Sequence, residues 1–243
     1  QMVTIIIPTY KRANYIERAI NSILNQTYKD YKIIVVDDND PDTIYRKDLE
    51  NIMEKYKDND KITYIQHPKN MNGATARNTG INITDSEFVT FLDDDDEWLP
   101  TKTQKQVEVL EHHLDVGFVY CGRLIEKNFD KSSMTSDGVK SKDGDLSKEI
   151  LIRIATTTTT CIMVRKEILL EVGCFDENLA YWQEYEMTIR VLQRTKVVGI
   201  KEDLVLYRVI TGDKNRLSNK IVGWEKSVEY INEKHKALFK TLS

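Results

Sequence analysis

The sequence FLDDDDEWLP, residues 91–100, places five consecutive acidic side chains directly after an apolar run. Residues 87–92, EFVTFL, are β-prone and lack helical periodicity, so they predict a short buried strand. The acids therefore follow the carboxyl end of a strand, which is where ligands bind in open α/β sheets. Because side chains alternate along an extended segment, we expect Asp93 and Asp95 to face one site and Asp94 to face away.

This acidic stretch predicts a site for a divalent cation. Adjacent carboxylates repel one another and are hard to keep ionised without a cation. Mg²⁺ and Mn²⁺ prefer oxygen ligands, and Mg²⁺ is usually held by one or two carboxylates together with substrate phosphates. The alternative is a solvated acidic loop that caps the following helix, because charge runs are usually solvated. The tight position between a buried strand and Trp98-Leu99-Pro100 favours the metal site.

The composition is that of a folded globular chain, with 243 residues, 40% of them hydrophobic and 30% charged. That length suits one large α/β domain. The net charge of −4 lacks the electrostatic footprint of a nucleic-acid-binding protein, so no such partner is expected. Three cysteines without metal-ligand spacing predict reduced thiols. With no apolar run of membrane-spanning length and no recognisable signal peptide, we expect a cytoplasmic location.

Strands and helices alternate in the first half of the chain. Met2–Pro8 and Tyr31–Asp37 are continuous apolar runs typical of buried strands, and an amphipathic helix is predicted between them, from about Tyr15 to Asn25 with Asn14 as its N-cap. This spacing predicts a parallel sheet with right-handed crossovers. The other predicted elements here are strands at 62–66, 88–92 and 116–121 and helices at 42–57, 74–83 and 102–113.

The alternation weakens after Cys121. Residues 122–145 are polar and predict a long loop or a hairpin with weak strands. The five threonines at 156–160 are predicted to form a strand that continues to Val164. The remaining predicted elements are helices at 146–154, 165–172, 185–194 and about 219–242, and strands at 196–200 and 204–209.

Six segments, in this order, resemble the family 2 glycosyltransferases with a GT-A fold, which are nucleotide-sugar-dependent and inverting. They are TIIIPTYKR (4–12), SILNQTY (22–28), IIVVDDND (33–40), NGATARNTGI (72–81), FLDDDDEWLP (91–100) and VGCFDENLAYWQEYEMTIR (172–190). The resemblance implies a single Rossmann-like, mostly parallel sheet with helices on both faces and a small acceptor-side region. It also implies a nucleotide-sugar half at about 1–100, an acceptor half at about 101–213 and a helical extension at 214–243.

The residues and the resemblance together predict a UDP-sugar site. Asp38 ends a strand and can accept a hydrogen bond from a uracil N–H, whereas a turn role suits Asp37 or Asp40 better. Arg77 is a candidate for diphosphate contact because guanidinium pairs well with phosphate oxygens, the alternative being a surface arginine. The resemblance matches 93–95 to a DXD-type motif, with Asp95 as the direct metal ligand and with Asp93 and Asp94 near the ribose or the metal's waters; the predicted metal residues are Asp95 and Asp93. The predicted donor-binding residues are Pro8, Thr9, Tyr10, Arg12, Asp38, Arg77, Asp93 and Asp94.

Transfer to a sugar hydroxyl needs a base opposite the leaving nucleotide. The family uses an acidic residue in an ED-type pair ahead of a helix, and here that pair reads Gln183-Glu184. Glu184 is therefore the predicted catalytic base, with an ordinary acid favoured by the helix dipole as its alternative. Glu186 is the rival base. Together with Trp182, which could equally be a core residue, Glu186 is also a predicted acceptor-binding residue.

The end of the chain departs from the family pattern and is basic. Many relatives carry a histidine shortly after the position of Arg208, where this chain has Val209-Ile210-Thr211, so a further metal ligand is not expected there. Residues 211–217 predict a mobile lid. Residues 214–243 hold seven Lys or Arg and three Glu. Their predicted amphipathic helix could contact an anionic membrane peripherally, or pack on the domain or on a second copy as a homodimer.

These observations predict a metal-dependent inverting glycosyltransferase that moves a hexose or N-acetylhexosamine from a UDP-sugar to a glycan or lipid-linked acceptor, in bacterial surface polysaccharide synthesis on the inner face of the membrane. One alternative is a non-catalytic sugar-nucleotide-binding module, which the altered Gln183-Glu184 pair favours. The other is a sugar nucleotidyltransferase, which would need a glycine-rich basic loop after the first strand. Lys11-Arg12 lacks that glycine.

Overall fold

The structure is a computed structural model that describes residues 2–213 and 223–243. Its strands are β1 (Val3–Thr9), β2 (Tyr31–Asp37), β3 (Ile62–Gln66), β4 (Phe88–Phe91), β5 (Glu97–Trp98), β6 (Val116–Lys127), β7 (Asp130–Asp137), β8 (Ile162–Arg165) and β9 (Lys196–Val209). Its helices are α1 (Ala13–Leu24), α2 (Ile44–Met53), α3 (Gly73–Ile83), α4 (Lys102–His112), α5 (Glu149–Ile152), α6 (Lys166–Val172), α7 (Gln183–Leu192), α8 (Trp224–Lys234) and α9 (Lys236–Phe239). Short 3₁₀ turns lie at Glu54–Tyr56, Thr159–Cys161 and Lys240–Leu242.

The strands form one sheet in the order β3-β2-β1-β4-β8-β6-β9-β5, and β7 pairs with β6 as a hairpin. The first four strands pair in parallel, as predicted, and so do β6 and β9. Strand β8 is antiparallel to both of its neighbours. The chain builds outward from β1 to β3 and then returns to place β4 on the other side of β1. Strands β1 and β4 therefore flank the point where the strand order reverses, which is the usual ligand site of such sheets.

Apolar layers cover both faces of the sheet. Along β1, Ile6 belongs to one buried cluster, whereas Ile5 and Ile7 belong to the other, and all three are fully buried. A strand that is buried on both faces needs apolar residues at every position, which explains why the sequence shows a continuous run. Helix α3 packs so closely on one face that a Cβ at Gly80 would lie 2.7 Å from Cγ1 and Cδ1 of Ile6.

We expect Gly80→Ala to destabilise the fold by about 1–3 kcal/mol, because the added methyl group overpacks a fully buried contact between α3 and β1. The measurement is the free energy of unfolding in a denaturant titration. Gly138→Ala is the matched control, since the nearest atom to a Cβ there is Ser136 Oγ at 3.9 Å. Equal stability of the two variants would contradict this view of α3 packing.

Several predictions in the second half are wrong. The threonines at 156–160 form no strand: Thr159 and Thr160 belong to a 3₁₀ turn, Thr157 donates to the carbonyl of Cys121 at 2.7 Å, and Thr159 donates to Glu184 at 2.8 Å. The helix predicted at 146–154 shortens to α5, and the two last strands are one strand, β9, with bulges against β6. In the first half, α1 begins at Ala13 rather than after an Asn14 cap. The hairpin alternative for 122–145 is correct.

The C-terminal helix α8 packs on the domain. Ile231 is only 3% exposed, and Lys234 forms ion pairs with Asp176 at 2.6 Å and with Glu186 at 2.9 Å. His235 lies 2.8 Å from the same Glu186 carboxylate. The alternative that the C-terminal helix packs on the domain therefore holds for α8. The start of the helix predicted at about 219–242 and most of the lid predicted at 211–217 lie outside the described residues. No helix in the described ranges is both long and apolar enough to cross a bilayer.

Candidate functional site

Two cavities, each of about 600 Å³, open at the carboxyl ends of the central strands. The β1–β4 cavity lies beside the ends of β1 and β4, and the α7 cavity lies against the start of α7. They share Arg77, Ala180 and Gln183 as a common wall. The structure brings every residue predicted to bind the donor or the metal to the β1–β4 cavity, and it places Trp182 and Glu184 on the α7 cavity. The residues in the first group are Pro8, Thr9, Tyr10, Arg12, Asp38, Arg77, Asp93, Asp94 and Asp95.

The acidic stretch forms a turn rather than an extended segment. The backbone N–H of Asp96 donates to the carbonyl of Asp93 at 3.1 Å, which closes the turn. Asp94 therefore lines the same cavity as its neighbours, and the expectation that it faces away is wrong. Arg12 bridges Asp94 at 3.3 Å and Asp95 at 2.9 Å, and Asp94 also accepts from the Thr9 hydroxyl at 2.9 Å.

Crowding and burial change the charge state of these acids. Burial raises the pKa of Asp94 to about 7, with Asp95 adding to the effect and Arg12 opposing it. Burial likewise raises the pKa of Asp96 well above its ordinary value, and Asp95 and Asp93 reinforce the shift. Asp96 accepts the backbone N–H of Arg208 at 2.9 Å, so it supports the turn from inside. An additional cation would relieve this repulsion, and oxygen ligands suit Mg²⁺ or Mn²⁺.

The described side chains do not by themselves form a complete set of metal ligands. Across residues 2–213 and 223–243, no three His, Cys, Asp or Glu side chains are already grouped around one metal position. Asp93 pairs with Arg77 at 2.9 Å, while Asp95 faces Arg12. The residues therefore fit a metal that takes one or two carboxylates here and completes its coordination with diphosphate oxygens and water.

Asp38, which lines the β1–β4 cavity, is held by a hydrogen-bond network. Its carboxylate accepts from Asn70 Nδ2 and from the Met71 backbone N–H, both at 2.8 Å, and lies 2.8 Å from His67 Nδ1. His67 Nε2 lies 2.8 Å from the Thr79 hydroxyl, which itself donates to a backbone carbonyl. His67 therefore orients the Asp38 carboxylate, and Thr79 orients the His67 ring. Sequence reasoning missed His67, since a single histidine after a strand carries no recognisable signal.

Glu184 lies in the first turn of α7 and accepts from the Thr159 hydroxyl at 2.8 Å. Burial raises the pKa of its carboxyl group to about 7, although the Thr159 hydrogen bond opposes the shift. The residue two positions before it, Trp182, has a φ of +61°, a left-handed conformation that costs energy for a bulky residue. A carboxylate with a pKa near 7 can accept a proton at neutral pH.

Glu186 is not brought to either cavity. It is fully buried and pairs with Arg190 at 2.6 Å, with Lys234 at 2.9 Å and with His235. Burial alone would raise the pKa of Glu186, but hydrogen bonds from His235 and Arg190 outweigh it and lower the pKa to about 2. The geometry does not support its predicted acceptor contact or its rival role as the base. Its contacts instead anchor α8 to α7.

The α7 cavity has aromatic walls. The Trp182 ring lies 6.0 Å from the Tyr185 ring and 5.8 Å from the Trp224 ring, measured between centroids. Within the described residues, Trp182 Nε1 and the Thr188 hydroxyl are buried without a hydrogen-bond partner. Aromatic walls suit a sugar, because sugar rings present apolar C–H faces.

The family model for glycosyl transferase family 2 matches residues 4–173. The chain is 34% identical, over 216 residues, to the GalNAc(5)-diNAcBac-PP-undecaprenol beta-1,3-glucosyltransferase of Campylobacter jejuni. That match covers 86% of this chain and 65% of the relative. The chain thus spans slightly less than two thirds of this relative's length.

Two similar solved structures carry nucleotide sugars. S. aureus TarS 1-349 in complex with UDP-GlcNAc matches with a TM-score of 0.74 and 19% identity, covering 94% of this chain and 64% of the TarS 1-349 chain. The mannosyltransferase PcManGT from Pyrobaculum calidifontis, in complex with GDP-Man and Mn²⁺, matches with a TM-score of 0.64 and 16% identity, covering 88% of this chain and 58% of that one. This likeness shows the fold, which is the predicted GT-A fold with a mostly parallel sheet.

Proposed function

We propose that this chain, which belongs to glycosyl transferase family 2, is a metal-dependent inverting enzyme. It moves a hexose or N-acetylhexosamine from a UDP-sugar to a glycan or lipid-linked acceptor. The observation that supports this most is the division of the predicted residues between two adjoining cavities. The nine donor and metal candidates line one cavity, and Glu184 lines the other across the shared wall formed by Arg77 and Gln183.

The β1–β4 cavity supplies the donor contacts in this proposal. Asp38 accepts from the nucleobase, and Arg77 pairs with the diphosphate. Asp95, with Asp93 beside it, would hold Mn²⁺ or Mg²⁺, which when bound supplies charge neutralisation to the diphosphate. The complex of TarS with UDP-GlcNAc supports a UDP-sugar donor, and the Mn²⁺ with PcManGT supports a metal.

The α7 cavity supplies the acceptor contacts. The Trp182 ring gives the acceptor sugar an apolar platform, and Glu184 removes the proton of the attacking hydroxyl while the sugar–diphosphate bond breaks on the opposite side of the anomeric carbon. One direct displacement of this kind inverts the configuration. The name of the Campylobacter relative, which specifies a PP-undecaprenol-linked glycan, supports a lipid-linked acceptor.

The cellular setting belongs to the same proposal. Cys121, Cys161 and Cys174 are free and buried, which is consistent with a reducing cytoplasm. Peripheral contact with the inner face of the membrane would bring the α7 cavity to a lipid-linked acceptor. The nucleotide-sugar half is assigned to about 1–100, the acceptor half to about 101–213 and the extension to 214–243.

The nucleotide assignment is tested by calorimetric titration with UDP, GDP and CDP in the presence of Mn²⁺. We expect UDP to bind most tightly. We expect Asp38→Ala to weaken UDP binding by about 1.5–3 kcal/mol, the range for a hydrogen bond to a charged group. The exposed Asp58→Ala variant is the control and should bind UDP normally. Unchanged UDP affinity in Asp38→Ala would show that Asp38 does not contact the base.

The pKa of Glu184 predicts the pH dependence of transfer. Because the ionised carboxylate is the active form, kcat should rise with pH through about 7. Thr159→Val removes a hydrogen bond that stabilises the ionised form, so it should move this rise to higher pH. Thr157→Val is the control, since the Thr157 hydroxyl donates to the Cys121 carbonyl instead. A rise in kcat at the same pH in Thr159→Val and wild type would contradict the assignment of Glu184.

A further inference from the structure

Helix α8 presents one stripe of side chains to the domain. Trp224, Ser227, Ile231 and His235 recur at spacings of three and four residues, which places them on one face of the helix. The last three are between 3% and 6% exposed, whereas Trp224 is 44% exposed although it belongs to the same stripe. The Trp224 ring lines the α7 cavity, so the space in front of it is open to a ligand.

Contacts at both ends of α8 fix its position against the domain. Near its end, Lys234 pairs with Glu186 of α7 at 2.9 Å. At its start, Gly223 has a φ of +109°, and a Cβ there would lie 2.9 Å from Cε2 of Tyr181. Only glycine allows both this backbone conformation and this close approach. The Trp224 ring is therefore held at a defined place in the cavity.

The aromatic surface of the α7 cavity continues past Trp182. The rings of Trp182 and Trp224 are tilted by 54° to each other at a centroid distance of 5.8 Å, so they are neighbours and do not enclose a ligand ring between parallel faces. Trp182 precedes Glu184 by two residues and is less exposed than Trp224. Trp224 therefore extends the aromatic surface toward solvent.

The size of the α7 cavity fits more than one sugar unit. Its volume of about 600 Å³ lies within the range of about 300–1,000 Å³ that is typical of pockets for drug-sized ligands. A disaccharide is of that size, whereas a single hexose is smaller.

We propose that α8 forms a second sugar subsite in the α7 cavity, in which the Trp224 ring binds the sugar unit next to the terminal acceptor sugar. This inference rests on the proposed function, because it takes the α7 cavity as the acceptor site. The terminal sugar lies on Trp182 with its hydroxyl at Glu184, and the preceding sugar lies with its C–H face against Trp224, where both bury apolar surface. The enzyme therefore extends a glycan of at least two sugar units.

The test uses the full chain with saturating UDP and Mn²⁺, so that sugars are kept out of the β1–β4 cavity. Three pairs of probes are titrated: glucose and cellobiose, N-acetylglucosamine and N,N′-diacetylchitobiose, and mannose and mannobiose. Tryptophan fluorescence reports on this cavity, because Trp182 and Trp224 line it while Trp98 is buried in β5. In at least one pair we expect the disaccharide to bind about tenfold more tightly than the monosaccharide.

Variants of Trp224 locate the second subsite, with Trp182 as the remaining reporter. Trp224→Ala should abolish the gain of the disaccharide and leave the affinity for the monosaccharide unchanged, and Trp224→Phe should keep part of the gain. Leu242→Ala is the matched control and should keep all of it, because Leu242 is an apolar residue of the same extension, 40% exposed and outside the cavity.

Three results would overturn the second subsite. They are equal or weaker binding of the disaccharide in every pair, a gain that survives in Trp224→Ala, and an equal loss of both probes in that variant.

A calorimetric titration with UDP and Mn²⁺ separates this inference from the proposed function. If UDP does not bind to the wild type, the donor site is wrong, and the same sugar pairs are compared without nucleotide. Normal UDP binding by Trp224→Ala shows that its fold is intact. If only that variant fails to bind UDP, Trp224→Phe decides, since a reduced gain supports the subsite and a full gain overturns it.

Discussion

Glu184→Gln is expected to lower kcat by about two to four orders of magnitude, the range for loss of a general base. Glutamine keeps the size of the side chain and its contact with Thr159 but cannot take up a proton at neutral pH. UDP affinity should stay unchanged, because Glu184 lines the α7 cavity and not the β1–β4 cavity. The measurement is the transfer rate at saturating donor, together with a UDP titration of the same sample.

Glu186→Gln is the matched control, with the same substitution half a helical turn away. It should cost stability, because Arg190 and Lys234 lose a buried counter-charge, but the folded protein should keep transfer. If folded Glu186→Gln lost transfer and Glu184→Gln kept it, the base would be assigned to the wrong residue.

Asp95→Ala is expected to remove the effect of metal on UDP binding. In the wild type, UDP should bind much more tightly with Mn²⁺ than with EDTA, because the carboxylates and the diphosphate repel each other without a cation. Loss of a direct ligand should lower metal affinity by about 100-fold or more, since changes to outer partners of a metal ligand already cost about 10–100-fold. Calorimetric titration of UDP in the two conditions measures both effects.

The Arg12→Gln variant is the control for this experiment. Its guanidinium bridges Asp94 and Asp95 in the structure, so a metal at Asp95 must compete with it. Arg12→Gln should therefore raise metal affinity in the absence of nucleotide, whereas Asp95→Ala should lower it. Equal UDP affinity with Mn²⁺ and with EDTA in the wild type would contradict a metal-dependent donor site.

The parallel half of the sheet was predictable because its strands are buried on both faces. Such strands, for example Val3–Thr9 and Tyr31–Asp37, require apolar residues at every position and so leave an unbroken run in the sequence. The position of the site could be predicted from the same pattern, because the carboxyl ends of neighbouring parallel strands meet at one edge of the sheet. Residues as distant in sequence as Thr9 and Asp94 could therefore be assigned to one cavity.

The errors arose where tertiary contacts override local pattern. The threonines at 156–160 have high strand propensity, but they form no strand; the Thr157 hydroxyl donates to the Cys121 carbonyl of β6, and the Thr159 hydroxyl donates to Glu184. The prediction that Asp94 faces away from the site was wrong because the backbone is not extended there. A turn, closed by the hydrogen bond from the Asp96 N–H to the Asp93 carbonyl, replaces it. Glu186 pairs with Arg190 within α7, but its contacts with Lys234 and His235 come about 50 residues later, and periodicity within α7 carries no information about them.

The most direct test of the account is release of UDP from UDP-glucose and UDP-N-acetylglucosamine by the purified chain with Mn²⁺, in wild type and in Glu184→Gln. We expect the wild type to cleave at least one of these donors, to do so more slowly in EDTA, and to lose the activity in Glu184→Gln while UDP binding persists. Tight UDP binding with no cleavage of either UDP-sugar, by the wild type with Mn²⁺ and an acceptor sugar present, would contradict the account and indicate a sugar-nucleotide-binding module.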